Sequence, residues 1–223
     1  MTTLDLSPDA LLTTTRAVRK RLDFDRPVDP QLIRECLEVA IQGPSGSNSQ
    51  GWHFVVVSDE AKRVRIGELY KQGFDIYRNM KQSAHALAEA QEDPDDARQM
   101  ARVVDSAEYL AENMHRAPAL VIPCMTGRVD SLQGPAAAIG QASQFGSILP
   151  AFWSFMLAAR ARGLGTAWTT IHLMYEEEIA GLLGIPYAEV TQVALSPVAH
   201  TIGTEFKQAR RKSLDGVMHL DTW

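Results

Sequence analysis

The chain has 223 residues, 45% hydrophobic and 22% charged, which is enough for a sizeable core in one large domain or two small ones. Its formal net charge of −5 argues against nucleic acid as the main partner, and no apolar run reaches the length of a membrane span. The first residues hold neither a basic region nor an apolar run, so the reading is cytoplasmic; Cys36 and Cys124 each lie in an apolar segment, which favours buried free thiols over a disulfide or a metal site.

Ser7 and Pro8 form an N-cap and a first helical position, opening a helix that carries Leu11 and Leu12 toward Thr15. Arg16, Arg19, Lys20 and Arg21 then put four basic residues within six. They cluster whether the helix continues or breaks, either as a solvated basic face or as a site for an anion such as phosphate. Asp29 and Pro30 open a second helix with Leu32, Ile33, Cys36, Leu37, Ala40 and Ile41 at helical spacing. Gly43 is placed to end it, and Pro44 forbids continuation. Residues 43–54 follow as a loop dense in Gly, Ser, Asn and Gln that closes on Trp52. Such residues dominate all turns, but so many small donors and acceptors also suit a backbone laid against a flat polar ligand.

Residues 54–58 read as a strand buried on both faces. Residues 59–116 are helical and charged, with an amphipathic segment over 61–80, an acidic break over 91–96 and a further helix over 95–114. This excursion is either a lid or a structural cap. Residues 119–125 form a second strand, in which Pro123 implies an edge position or a bulge. A long loop spans 126–140. Residues 147–162 make the most apolar helix, apolar nearly all round, which suits a central core helix or one covered by a second subunit. Gly163-Leu164-Gly165 ends it, and β-prone residues 166–171 lead to His172. A short helix over 176–183 has carboxylates in its first turn and closes at Gly184; residues 190–195 form another strand. The tail over 204–223 is basic at Lys207, Arg210, Arg211 and Lys212 and ends in Trp223, an aromatic that implies docking.

No nucleophile elbow, Walker loop, dinucleotide glycine motif or His/Cys set at metal spacing occurs. The remaining inventory is two basic clusters, a Ser/Gly/Asn loop and a Thr-rich segment after a Gly-Leu-Gly turn. It suits a protein that holds a phosphorylated cofactor and leaves the chemistry to it.

Three motifs, in order, carry a family resemblance. Thr15-Arg-Ala-Val-Arg19 resembles Arg-Arg-Ser-Val-Arg, Pro44-Ser-Gly-Ser-Asn-Ser-Gln-Gly-Trp52 resembles Pro-Ser-Gly-x-Asn-x-Gln-Pro-Trp, and Ala158-Ala-Arg-Ala-Arg-Gly-Leu-Gly-Thr166 resembles Ala-Ala-x-x-x-Gly-Leu-Gly-Thr. The chain thus resembles the nitroreductase family of FMN-dependent oxidoreductases. The resemblance implies an α+β fold with a central mixed, mostly antiparallel sheet flanked by helices, one FMN-binding domain over 1–223, and an intertwined homodimer. The tail would reach the partner subunit. Arg16 with Arg210 or Arg211 would hold the phosphate, and Arg19 would approach the ribityl chain and pyrimidine edge. Pro44, Ser45, Gly46 and Asn48 would line the cofactor from one subunit. Ser147 and the backbone of Trp168, Thr169, Thr170 and Ile171 would do so from the other. Ala17, Lys20 and Lys207 complete the candidate cofactor-binding set. Thr15, Ala17 and Gly51 depart from the family's Arg, Ser and Pro.

The implied reaction has two half-reactions. NAD(P)H reduces FMN and leaves; an electron-poor acceptor, such as a nitroaromatic or a quinone, then takes the electrons. No side chain acts as obligatory acid or base. A flavin-consuming or dehalogenating relative on the same fold, and a flavin-binding protein without turnover, are the competing readings.

Overall fold

A six-stranded sheet organises the chain in the computed structural model, which describes residues 3–223; the first two residues of the expected domain lie outside it. The elements in order are α1 (Pro8–Thr14), β1 (Leu22–Asp23), α2 (Pro30–Ala40), β2 (Trp52–Val57), α3 (Glu60–Tyr77), α4 (Ala84–Glu89), α5 (Pro94–Asn113), β3 (Ala119–Thr126), α6 (Pro135–Ala161), β4 (Leu164–Thr166), α7 (Glu176–Leu183), β5 (Val190–Gln192) and β6 (Ser196–Thr201). Side-chain caps start the helices where sequence placed them: Ser7 accepts the Ala10 N–H and Asp29 that of Gln31. Asp93 accepts from both Asp95 and Asp96 at the start of α5.

The sheet runs β1-β6-β3-β2, with β4 on β6 and β5 on β3, and every ladder is antiparallel. Parallel pairing is confined to the bridges Ala17–Thr166 and Gly127–Val190. Central β3 alternates its side chains between two cores. Leu120, Ile122 and Cys124 face Ile66, Leu69, Tyr70, Phe74, Leu110 and Ile179 from α3, α5 and α7. Ala119 and Val121 face Leu32, Ile33, Cys36, Phe152, Phe155 and Ala159 from α2 and α6. Both cysteines are free, and burial pushes the Cys36 thiol up to about 11 and the Cys124 thiol up to about 12.

Several elements differ from expectation. Strand β2 pairs only with β3, so it is an edge strand; Phe54 packs on one core and Val55 and Val57 on the other, but His53 and Val56 are exposed, so both faces are covered only in part. Strand β3 is central, so the edge reading of Pro123 fails and the bulge reading holds. Cys124 pairs with Gln192 and Val121 with Ser196, so three steps on β3 oppose four on the neighbouring segment. The Pro123 carbonyl accepts the Val193 N–H at 2.9 Å, which turns the missing proline donor into that bulge. Helix α6 begins at Pro135, twelve residues before the expected start at 147, and absorbs the last part of the expected loop, from 135 to 140. Trp153 stays 38% exposed, so this chain covers only part of the apolar surface of α6. Strand β4 ends at Thr166; beyond it the Ala167 N–H donates to the Ser196 Oγ of β6 at 3.0 Å, and Thr169 forms a bridge to Leu195. Among the described residues no helix is long and apolar enough to cross a membrane.

His172 is fully buried next to Ile171, and neither ring nitrogen has a hydrogen-bond partner among the described residues. Burial depresses its pKa to about 3. The unfolded chain, with a His pKa near 6.5, therefore binds the extra proton first, and stability falls as pH drops from about 6.5 toward 3. His172→Leu is expected to flatten that limb of a melting-temperature profile while leaving the neutral-pH value equal or higher. A variant with the wild-type slope would show that this histidine does not set it.

Candidate functional site

The polar loop over 43–52 is strained. Ser47, Asn48 and Gln50 take φ values of 53°, 52° and 50°, the left-handed region that disfavours residues with a Cβ by about 1–2 kcal/mol, less for Asn. Such strain persists where surroundings fix it and gathers at ligand sites. The fixing contact is with α6: the Gly46 N–H donates to the Ser147 Oγ at 2.9 Å, and that hydroxyl donates to the Ser143 carbonyl at 2.7 Å. A Cβ on Gly46 would lie 2.4 Å from the Ser143 Oγ, so a side chain there would have to turn that exposed hydroxyl aside. Ser45 accepts the Gln50 N–H, and the Asn48 side chain accepts from the Gln50 amide, leaving the Asn48 amide without a partner among the described residues on an exposed rim. Gly43 does not adopt the left-handed capping conformation. A Cβ there would sit 3.3 Å from the Ala151 backbone, so its role is close passage of α6 rather than ending α2. Trp52 packs on Met125, Ile148 and Val193 and anchors the loop to the core.

The N-terminal basic turn is pinned to the sheet. The Val18 N–H donates to the Thr166 carbonyl at 2.8 Å. A Cβ on Gly165 would meet Leu22, Thr201 and Val18 at 2.8, 2.9 and 3.0 Å, so the glycine leaves room for this turn. Gly163, at φ 73°, makes the left-handed exit from α6. Arg16 donates to the Lys207 carbonyl at 2.9 Å, and Lys20 pairs with Asp105. Arg21 donates to the carbonyls of Ile202 and Glu205 and stacks on Phe206, whose ring Arg160 of α6 also approaches. Arg16, Ala17, Arg19, Lys20 and Lys207 line a cavity of about 590 Å³ together with Arg102 of α5.

Arg19 also lines a second cavity, of about 240 Å³, with Tyr70, Phe74, Tyr77, Trp168, Thr169, Thr170 and Ile171. Its hydrogen-bond partner is the Ser106 hydroxyl, at 3.3 Å, and no carboxylate pairs with it among the described residues. Burial lowers its pKa, partly offset by the Tyr70 and Tyr77 phenols, yet a guanidinium stays charged. Tyr70 is buried, and its phenol shares a 3.0 Å hydrogen bond with the Thr169 hydroxyl. Thr169 and Leu195 exchange backbone hydrogen bonds of 3.0 and 2.8 Å, so the bulge opposite Pro123 positions the wall of this cavity.

The candidate residues therefore form two groups. Arg16, Ala17, Arg19, Lys20, Lys207 and residues 168–171 surround the two cavities. Pro44, Ser45, Gly46 and Asn48 belong to the loop held by Ser147, which sits with this loop and not with residues 168–171. Ser147 and Arg160, where the tail docks through the Thr204 carbonyl, lie thirteen positions apart on α6, a span of roughly 20 Å. The loop rests on α6 at one face of the sheet, and the aromatic cavity opens among α3 and α5 at the other. Arg210 joins neither group: its guanidinium meets Asp93, Asp95 and Asp96 at 3.7, 3.8 and 3.3 Å, and Arg211 donates to the Arg210 carbonyl. Sequence reading missed Tyr70, Arg102 and Ser106, which lie inside amphipathic helices without any motif. The Gly-Leu-Gly turn did signal Gly165.

A basic cavity joined through the partly buried Arg19 guanidinium to one lined by aromatic rings suits a phosphorylated, planar cofactor. The class of fold agrees. An FMN and NADPH-dependent nitroreductase from sphigopyxis sp. strain HMH, 20% identical, superposes with a TM-score of 0.68 over 98% of this chain and 100% of that one. Oxidized iodotyrosine deiodinase bound to FMN and 3-iodo-L-tyrosine, 18% identical, gives 0.65 over 94% and 96%. This is the nitroreductase-like α+β fold. The chain belongs to the nitroreductase family, whose model matches residues 12–200. Within curated sequences it is 30% identical to 5,6-dimethylbenzimidazole synthase of Rhodospirillum rubrum over 179 residues, 80% of this chain and 74% of the relative.

The Gly165 contact gives a direct test. Gly165→Ala forces a methyl into Leu22, Val18 and Thr201 and is expected to destabilise by about 1–3 kcal/mol in a denaturant titration. An unchanged midpoint would mean that the turn is not held by this approach.

Proposed function

We propose that the protein is an FMN-dependent oxidoreductase that moves electrons from NAD(P)H to a small electron-poor acceptor. The observation that carries this reading is Arg19, a partly buried cation with no carboxylate partner among the described residues, shared by a basic cavity and an aromatic one. Bound FMN would supply the redox chemistry, taking two electrons from the nicotinamide and giving them to the acceptor. Arg16 and Lys207 would hold its phosphate, with Lys20 beside them. Arg19 would stabilise the electron-rich state by charge in a water-poor setting. Tyr70, through Thr169, would hold the backbone of residues 168–171 in place, and Phe74 and Tyr77 would exclude water. The excursion over 59–116 would cover the acceptor side of the cleft.

The two groups of candidate residues support a site completed between two chains in a homodimer. The loop over 44–48 would come from one chain and the basic turn from the other. Leu214, Val217, Met218, Leu220 and Trp223 are exposed in the single chain, which suits a tail that covers a partner. Arg210 and Arg211 would then reach a phosphate only after leaving the carboxylates of α5.

The relative at 30% identity is a synthase, which keeps open a second reading, consumption of the flavin itself. Purified protein should be yellow. Under the main reading it oxidises NAD(P)H steadily with a quinone or nitroaromatic and keeps its flavin. Loss of one flavin per turnover, with oxygen as sole partner, would favour the second reading. Arg19→Ala is expected to lower the two-electron potential of the bound flavin by on the order of 30 mV, the equivalent of about 1.4 kcal/mol. A potential equal to wild type in spectroelectrochemistry would remove Arg19 from this role.

A further inference from the structure

We propose that Arg102, on α5, binds a phosphate of the nicotinamide dinucleotide that donates the electrons. The inference rests on the oxidoreductase reading above and adds a residue that no motif marks. The chain is acidic overall, yet the larger cavity gathers six cationic side chains against the carboxylates of Asp105 and Glu205, an excess of four. Most of these cations have work elsewhere. Lys20 pairs with Asp105, Arg21 is held by two carbonyls and the Phe206 ring, Arg16 bonds the Lys207 carbonyl, and Arg19 bonds Ser106.

Arg102 makes no hydrogen bond or ion pair among the described residues, although Arg98, one turn earlier, is paired with Asp95. It shares a helix face with Asp105 and Ser106, three and four residues on, which already touch Lys20 and Arg19. The helix thus sets Arg102 at the cavity wall, where its charge is unmatched.

One cofactor phosphate balances about two of the excess charges at neutral pH. A nitroaromatic or quinone acceptor brings none. A dinucleotide brings the rest, from its pyrophosphate or from the 2′-phosphate that separates NADPH from NADH. The cavity, at about 590 Å³, has room beyond a single phosphate. A guanidinium on a helix that forms the wall suits bidentate recognition of such a group.

The test uses the flavin-loaded protein with Arg102→Ala and Arg102→Lys. Arg102 is exposed, so neither change threatens the fold. We expect Arg102→Ala to weaken NADP⁺ binding, read by quenching of flavin fluorescence, by about tenfold, with the same rise in KM for NADPH and kcat within about twofold. Arg102→Lys should recover part of the loss. A matching loss with NAD⁺ and NADH would assign the pyrophosphate, and a loss confined to NADP⁺ and NADPH the 2′-phosphate; either supports the proposal. Unchanged dinucleotide binding, or a fall in FMN affinity in its place, would overturn it. Wild-type protein that takes up no flavin would be a failure of the parent reading and is seen before any variant is made.

Discussion

The passage of Val18 over Gly165 is the constraint on which the rest of the site depends. The left-handed Gly163 turns the chain out of α6, and β4 then enters the sheet. Only a residue without a side chain at 165 leaves space for Val18, Leu22 and Thr201 together. With Val18 bonded to Thr166, the flanking cations have a fixed base. Arg19 can then reach the aromatic cavity while Arg16 and Lys20 stay at the basic one. Two stretches far apart in sequence, the basic turn and the Gly-Leu-Gly turn, are thus parts of one contact.

A second mechanical line reaches the same cavity from the other side. Pro123 cannot donate to the sheet, and the neighbouring strand bulges opposite it. The bulge carries Leu195 to Thr169, and Thr169 meets the Tyr70 phenol. The cavity wall is therefore set by sheet geometry and by α3 together, which suits a surface that must keep its shape while a ligand comes and goes. The polar loop obeys a separate constraint, its anchorage on Ser147 at the other face of the sheet. That separation is what makes a two-chain site the economical reading of the motifs.

Much of this was legible in the sequence. The caps at Ser7 and Asp29 and the helix over 176–183 follow from local chemistry that tertiary contacts do not override. The three motifs led to the family, and the candidate residues they named are the ones the structure gathers in two groups. What stayed hidden depended on contacts distant in sequence. The start of α6 at Pro135 was masked because its first turns, with Gly140, Gly146 and many alanines, show no apolar stripe until the core begins. Strand β6, Ser-Pro-Val-Ala-His-Thr, lacks a β-branched run and exists because β3 and β4 flank it. The partners of Ser147 and Arg210 could not be read from residue type, since a serine on an apolar helix and an arginine in a basic tail each have many possible neighbours.

The central claim is that the loop of one chain and the basic turn of another form one flavin site. Two tagged variants test it, one with Arg16→Ala and Arg19→Ala and one with Gly46→Val, each expected to hold no flavin alone. Co-expression and selection for both tags isolates the mixed dimer, in which one site joins an intact loop to an intact basic turn and the other joins two damaged halves. The account predicts about one flavin per mixed dimer by absorbance. A mixed dimer that holds none, while wild-type dimer prepared in the same way holds about two, would contradict it.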